Sequence, residues 1–203
     1  MWIFKRSCFT LILSLLIGCS NPNGVSLNPV QDTVTIVRVD TVEVQRFDPR
    51  QCLINKSFEY VGIREETGNN DGPMIRKFLA FVGFEEGFAW CAAIMSEMYH
   101  ACGVTNAPIS AWSPDWDKAG KVIWQQGDLQ SKARMLVKSA DHFTIHYASK
   151  GRVGHVGMVV NATHSLNTFE GNTNDGGSRE GDGTYFRVRP YSQIYKINRL
   201  IHD

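Results

Sequence analysis

The chain carries no excess of charge of either sign. Its 21 Lys and Arg stand against 20 Asp and Glu, a formal net charge of +1, so no broad electrostatic field steers it toward nucleic acid or an acidic polymer. No basic run is interleaved with aromatics in the manner of a nucleic-acid binder, and no internal repeat is present. No apolar run is long enough to span a bilayer: Phe9 to Ile17 has only the length of a signal-peptide core. Cysteine is scarce, five in 203 residues. What remains is the composition of an ordinary globular domain, long enough to bury its own core and to carry an appendage.

The appendage is the N-terminus. Lys5-Arg6 precedes the apolar run, which ends in Leu16-Ile17-Gly18-Cys19. That ending resembles the lipobox of bacterial lipoproteins, in which the peptide is cut before the Cys and lipid is attached to it. The resemblance implies a signal peptide over 1–18, lipid attachment at Cys19 and membrane association through lipid chains. Residues 19–52 read as a tether, with Ser20 to Gly24 flexible and the Val- and Thr-rich run Thr33 to Val44 strand-prone. No acidic run follows Cys19, which points to the bacterial cell envelope, facing the periplasm. Cys8 leaves with the signal and Cys19 is lipidated, so Cys52, Cys91 and Cys102 remain. Three is odd, and one thiol stays free or pairs between chains. Pairing Cys52 with Cys102 leaves Cys91 free; the other pairings remain open.

The domain is expected over 53–203. Phe58 to Glu66 reads as a short helix. Thr67 to Gly72 reads as a loop, with Asp71 placed to cap a second helix that opens at Pro73 and presents Ile75, Phe78, Leu79 and Val82 on one face. Cys91 then opens a third, in which Ile94, Met95, Met98 and Cys102 recur at helical spacing before Gly103. Unpaired N–H groups and the positive end of the helix dipole lie at Cys91, and both favour thiolate over thiol. The plain alternative is a small buried apolar residue. Val104 to Gly127 reads as irregular, broken by Pro108 and Pro114. Strand-like runs follow at Phe143 to Tyr147, Val153 to Val160, Asn167 to Asn172, Tyr185 to Val188 and Ile194 to Leu200. Helices first and strands afterwards predict an α+β fold with an antiparallel sheet.

Within the second strand, Val153, His155, Gly157 and Val159 share a face. Gly154 and Gly157 remove side chains around His155, where another element must come close. In the third strand Glu170 and Asn172 share a face. Side by side, these strands set Glu170 or Asn172 against His155, with His155 aimed at Cys91. That is the set that thiol chemistry requires: a nucleophile, a base, and a polar group that orients the base.

Asn70-Asp71-Gly72-Pro73, Trp90-Cys91-Ala92-Ala93, Ser149 to Gly157 and the run Glu170-Gly171-Asn172-Thr173 through Gly183, in this order, resemble a CHAP domain, the cysteine, histidine-dependent amidohydrolase/peptidase family. The resemblance implies a papain-like fold, N-terminal helices packed on an antiparallel sheet, and cleavage of an amide bond in the peptide part of peptidoglycan. By residue, it makes Cys91 the nucleophile, His155 the base, Glu170 the orienting acid and Asn172 the polar group that completes the site. Asn70 and Asp71 fall in a loop near the substrate end of the family's cleft, and Trp90 and Trp112 are candidate walls of a groove. No metal or cofactor is implied. His142 and His146 stand four apart, a zinc spacing on a helix, but lie in a strand, where that separation is too long. The partners expected are a peptidoglycan peptide and, through Cys19, a membrane. Two other functions fit the same residues: a non-catalytic cell-wall or phage/envelope lysis accessory protein that grips peptide, and acyl transfer to an amine.

Overall fold

The computed structural model describes residues 46–128, 131–174 and 181–202. The signal peptide, Cys19, the expected strand at Thr33 to Val44 and residues 175–180 of the Gly-rich run lie outside the described residues.

Helix α1 covers Pro49–Tyr60. Asp48 caps it by accepting from the Arg50 N–H at 2.9 Å, and Pro49 takes the first helical position. The helix expected at 58–66 therefore starts earlier and stops sooner. Asp-Pro marks turns and helix starts alike, and here it is a start. Beyond Tyr60 the chain turns at Val61 and Gly62, and Arg64 bridges to Gly183. Helix α2 covers Pro73–Phe81 and buries Ile75, Phe78 and Leu79. Its N-cap is Gly72, with no side-chain cap. Asp71, expected to cap α2, instead closes the preceding loop, accepting from the Thr67 hydroxyl at 2.6 Å and its N–H at 3.0 Å. Helix α3 covers Cys91–Ala101, and every residue from Cys91 to Tyr99 is buried.

The stretch expected to be irregular holds helix α4, Ser113–Asp117, and strand β1, Lys121–Gln125. Pro114 lies in the first turn of α4, where proline starts a helix and does not break one. In β1 only Trp124 is buried, so no alternation betrays an edge strand. After a short α5 (Ser131–Met135) come β2 (His142–Tyr147), β3 (Arg152–Ala162), β4 (Leu166–Thr173), β5 (Gly183–Arg189) and β6 (Lys196–Arg199). They form one six-stranded sheet in the order β1-β6-β2-β3-β4-β5, antiparallel at every pairing. Among the described residues, no helix is long and apolar enough to cross a membrane.

Two apolar clusters flank the sheet. The larger joins α1, α2 and α3 to Val156, Met158 and Phe169. The second lies on the other face, where Phe143, Val159 and Leu166 pack against Tyr191 and Ile194 from the segment between β5 and β6. A disulfide between Cys52 and Cys102 ties α1 to the end of α3 across 50 residues. Closing a loop of that length in the unfolded chain is worth roughly 4 kcal/mol. Cys91 is left as the free thiol among the described residues.

Asp141 is fully buried and takes both prongs of Arg199 at 2.8 Å. Arg50 of α1 approaches the same carboxylate at 3.5 Å. Its neighbour His142 is buried against Trp116, whose carbonyl is 2.8 Å from Nε2. Burial outweighs that bond and the acid beside it, and pushes the His142 pKa down to about 4. The unfolded chain takes up this proton near 6.5 and the folded one only near 4. Between those values the unfolded state holds more protons, so stability falls as pH falls. We expect the melting temperature to drop between pH 6.5 and 4, and His142→Gln to flatten that slope; an unchanged slope would remove His142 as its cause.

Candidate active site

Cys91 is the first residue of α3, so its N–H has no carbonyl within the helix to bond. The thiol is 3 % exposed. Ser113, first residue of α4, sets its hydroxyl 3.4 Å from Sγ. The His155 ring and the Val156 N–H also act on the sulfur and favour its ionised form.

His155 is aimed by an irregularity in β3. Ile145 pairs with His155 and His146 with Val153, so Gly154 is an extra residue opposite the β2 ladder. Such a bulge bends the strand and redirects the side chain beside it. A Cβ on Gly154 would lie 2.3 Å from the Tyr147 ring, and one on Gly157 would lie 2.7 Å from Phe143 and 2.9 Å from Glu170 Cγ. Both glycines flanking His155 thus make room, Gly157 for the acid itself. Glu170 Oε2 lies 2.8 Å from His155 Nε2. With Nε2 so committed, Nδ1 is the nitrogen left to the thiol.

Glu170 is fully buried and has no free oxygen. Thr168 donates to Oε1 at 2.7 Å, while Arg189 donates to Oε1 at 2.8 Å and to Oε2 at 2.6 Å. Burial opposes its charge, but the Arg189 fork and His155 overcome that and hold its pKa well below the usual carboxylate range. For His155, burial opposes protonation, yet the bonds to Cys91 and Glu170 raise its pKa to about 9. For Cys91, burial opposes ionisation, and His155, Ser113 and the Val156 N–H together bring the pKa below its ordinary value. The two groups therefore titrate as a pair, each favouring the charged form of the other.

Asn172 does not stand beside His155. Glu170 pairs with Tyr185 and Thr173 with Gly183, so β4 has an extra residue between them, and Asn172 takes φ 52°. That left-handed turn breaks the alternation which would have put Asn172 on the face of Glu170. Its Oδ1 accepts from the Trp90 N–H at 3.3 Å, and its Nδ2 donates to Asn70 Oδ1 at 2.9 Å and to Glu65 Oε1 at 3.3 Å. Asn172 therefore holds the peptide that leads into Cys91, and Asn70 holds Asn172. Trp90, expected to wall a groove, is fully buried; its Nε1 donates to Glu65 at 2.9 Å. Trp112 is 50 % exposed, with the Arg152 guanidinium 3.9 Å from its ring centre. It lines a cavity of about 370 Å³ with Phe84, Phe88, Ala89 and Ile109. His142 and His146 do not converge: the first is buried, the second lies against the Tyr195 ring.

Sequence reasoning missed Ser113, Arg189 and Glu65. A buried carboxylate needs a cation, and Arg187-Val188-Arg189 in the next strand was the available signal. Ser113 comes from a short helix and Glu65 from a loop, and no local pattern announces the approach of either. We expect Cys91 to react with iodoacetamide well below pH 8.5, about the pKa of a free cysteine. His155→Ala is expected to move that profile up strongly and Ser113→Ala to move it up less. A profile unmoved by His155→Ala would mean that the two groups do not interact.

No protein-family model and no curated protein matches this chain. Among solved structures, the chain is similar to a Staphylococcus aureus protein described as similar to lipoprotein, NLP/P60 family, at 15% sequence identity and a TM-score of 0.44. The match covers 81% of this chain and 46% of that one, so the chain spans about half of that protein's length.

Proposed function

We propose that this protein is a lipid-anchored cysteine hydrolase of papain-like type that cleaves an amide bond in the peptide part of peptidoglycan, as amidase or endopeptidase. The observation that carries the reading is the line Cys91–His155–Glu170, with the thiol at a helix N-terminus and the imidazole held by a buried carboxylate. The substrate class rests on the resemblance of the Cys91, His155 and Glu170–Asn172 motifs to CHAP domains.

In this reading the Cys91 thiolate adds to the scissile carbonyl, forming a C–S bond and placing negative charge on oxygen. The Cys91 N–H, unclaimed within α3, and the Ser113 hydroxyl are the donors we assign to that oxygen. His155 gives its proton to the leaving nitrogen as the C–N bond breaks, which leaves a thioester. His155 then takes a proton from water, whose oxygen displaces the thiolate and releases the acid. Glu170 keeps the ring oriented throughout. The apolar cavity at Phe84, Phe88 and Trp112 takes in Ala89, two residues before Cys91, and suits an apolar side group of the substrate.

Digestion of purified peptidoglycan by the full chain, with fragment masses as readout, tests the reading and identifies the bond. Fragments are expected from the wild type and none from Cys91→Ala. Glu170→Gln is expected to lose less than His155→Ala, because it removes an orienting group and not the base. Activity should decline as pH rises through about 9, where His155 gives up the proton that the leaving group needs. Intact peptidoglycan after exposure to a thiol-reactive, folded protein would reject the hydrolase reading and favour a peptide-binding accessory.

The anchor is tested separately. Only lipid at Cys19 supplies insertion energy in this reading, about 0.8 kcal/mol per buried CH₂. Cys19→Ala should therefore leave the membrane fraction while still digesting peptidoglycan, and its retention there would refute the anchor.

A further inference from the structure

The chain leaves β5 at Arg189 and returns to the middle of the sheet as β6, passing over the face that carries Phe143 and Val159. Bordered by this crossing lies a second cavity, of about 320 Å³, which Arg189 lines and Cys91 and His155 do not. Its wall is rich in donors. Arg187 and Arg189 come from β5, His146 from β2, Gln126 from the turn after β1, and Gln193 and Tyr195 from the crossing. No carboxylate lines it among the described residues.

The two arginines differ in their engagement. Arg189 spends Nε and Nη2 on Glu170 and Nη1 on Gln193 at 3.2 Å. Arg187 has a single side-chain bond, from Nη1 to the Thr173 hydroxyl at 3.3 Å. Among the described residues it faces no acid, although it is half-buried. Glu170 cancels the charge of Arg189, and the charge of Arg187 is left over. A guanidinium in that state is a fork without its partner, and the partner that matches it in shape and charge is a carboxylate.

We infer that this cavity is a binding site for a carboxylate, seated on Arg187 and bordered by Arg189. One source is a free carboxylate of the peptide cleaved at Cys91, an assignment that rests on the proposed function. The other is a free organic acid. In either case the bound charge is linked to the thiol through Arg189, Glu170 and His155.

The test is calorimetric titration of glutarate into the full chain carrying Cys91→Ala, where no turnover interferes. Saturable binding is expected, about tenfold or more weaker in Arg187→Gln, since a charge-assisted bond is lost. Arg187→Lys, which keeps the charge without the fork, should fall between them. No saturable binding, or equal binding with and without Arg187 in a variant that melts like its parent, would overturn the site. Competition by a peptidoglycan stem peptide, lost when its carboxylates are amidated, would assign the site to substrate; failure of the peptide to compete would overturn that source and leave a free acid. Absence of peptidoglycan cleavage by the wild type would sink the hydrolase reading but leave the glutarate result standing.

Discussion

The site depends on one buried carboxylate. Glu170 fixes the ring of His155 through Nε2, and that leaves Nδ1 for Cys91. A carboxylate without water is costly, and its oxygens must be filled by charged or polar donors. Here they are filled by His155, Thr168 and both prongs of Arg189. The surrounding sequence accommodates this single group: Gly157 leaves space for its Cγ, Thr168 lies two residues before it, and Arg189 reaches it from the neighbouring strand.

Charge is arranged accordingly. In their charged forms Cys91, His155, Glu170 and Arg189 alternate in sign and sum to zero. Each interior charge costs several kcal/mol to desolvate, so an alternating neutral line is tolerable where a single charge is not. The same line explains why burial does not win at Cys91 and His155. For both groups burial is the largest influence and opposes the charged form, yet the neighbours together reverse it. At His142, also buried, the nearby acids do not reverse it, and the ring stays neutral. The difference is direct contact. His155 bonds a carboxylate and interacts with the Cys91 thiol, whereas His142 bonds a neutral carbonyl.

What could be read from the chain follows from which signals are local. The Cys91 helix was legible because its apolar period is unbroken and Gly103, at φ 73°, closes it. His155 was legible because two glycines surround it and Glu170 lies on a strand with the right phase. Asn172 was misplaced because period-two reasoning assumes regular backbone, and a bulge with a left-handed residue intervenes between Glu170 and Thr173. Trp90 was misplaced because adjacency to Cys91 says nothing about which way a ring turns; it points into the core against Phe78. α1 was shifted because Asp48-Pro49 fits a turn and a helix start equally. Ser113 and Glu65 meet the site only in three dimensions.

The two faces of the sheet contribute differently to the site. Cys91 belongs to the cluster under the helices, held there by α3 and by the disulfide that ties its far end to α1. Phe143, which contacts His155, belongs to the opposite cluster. His155 and Glu170 alternate with residues that pack under α3, Val156 and Phe169, so they start from the other face. The bulge at Gly154 lets the ring turn toward the thiol where β3 begins. On the opposite side, the turn after β5 supplies Gln193 to the third nitrogen of Arg189, and the segment continues over Phe143 and Val159 into β6. The crossing that places β6 inside the sheet is thus also the support behind the acid. Closing the sheet and orienting the histidine are one structural act.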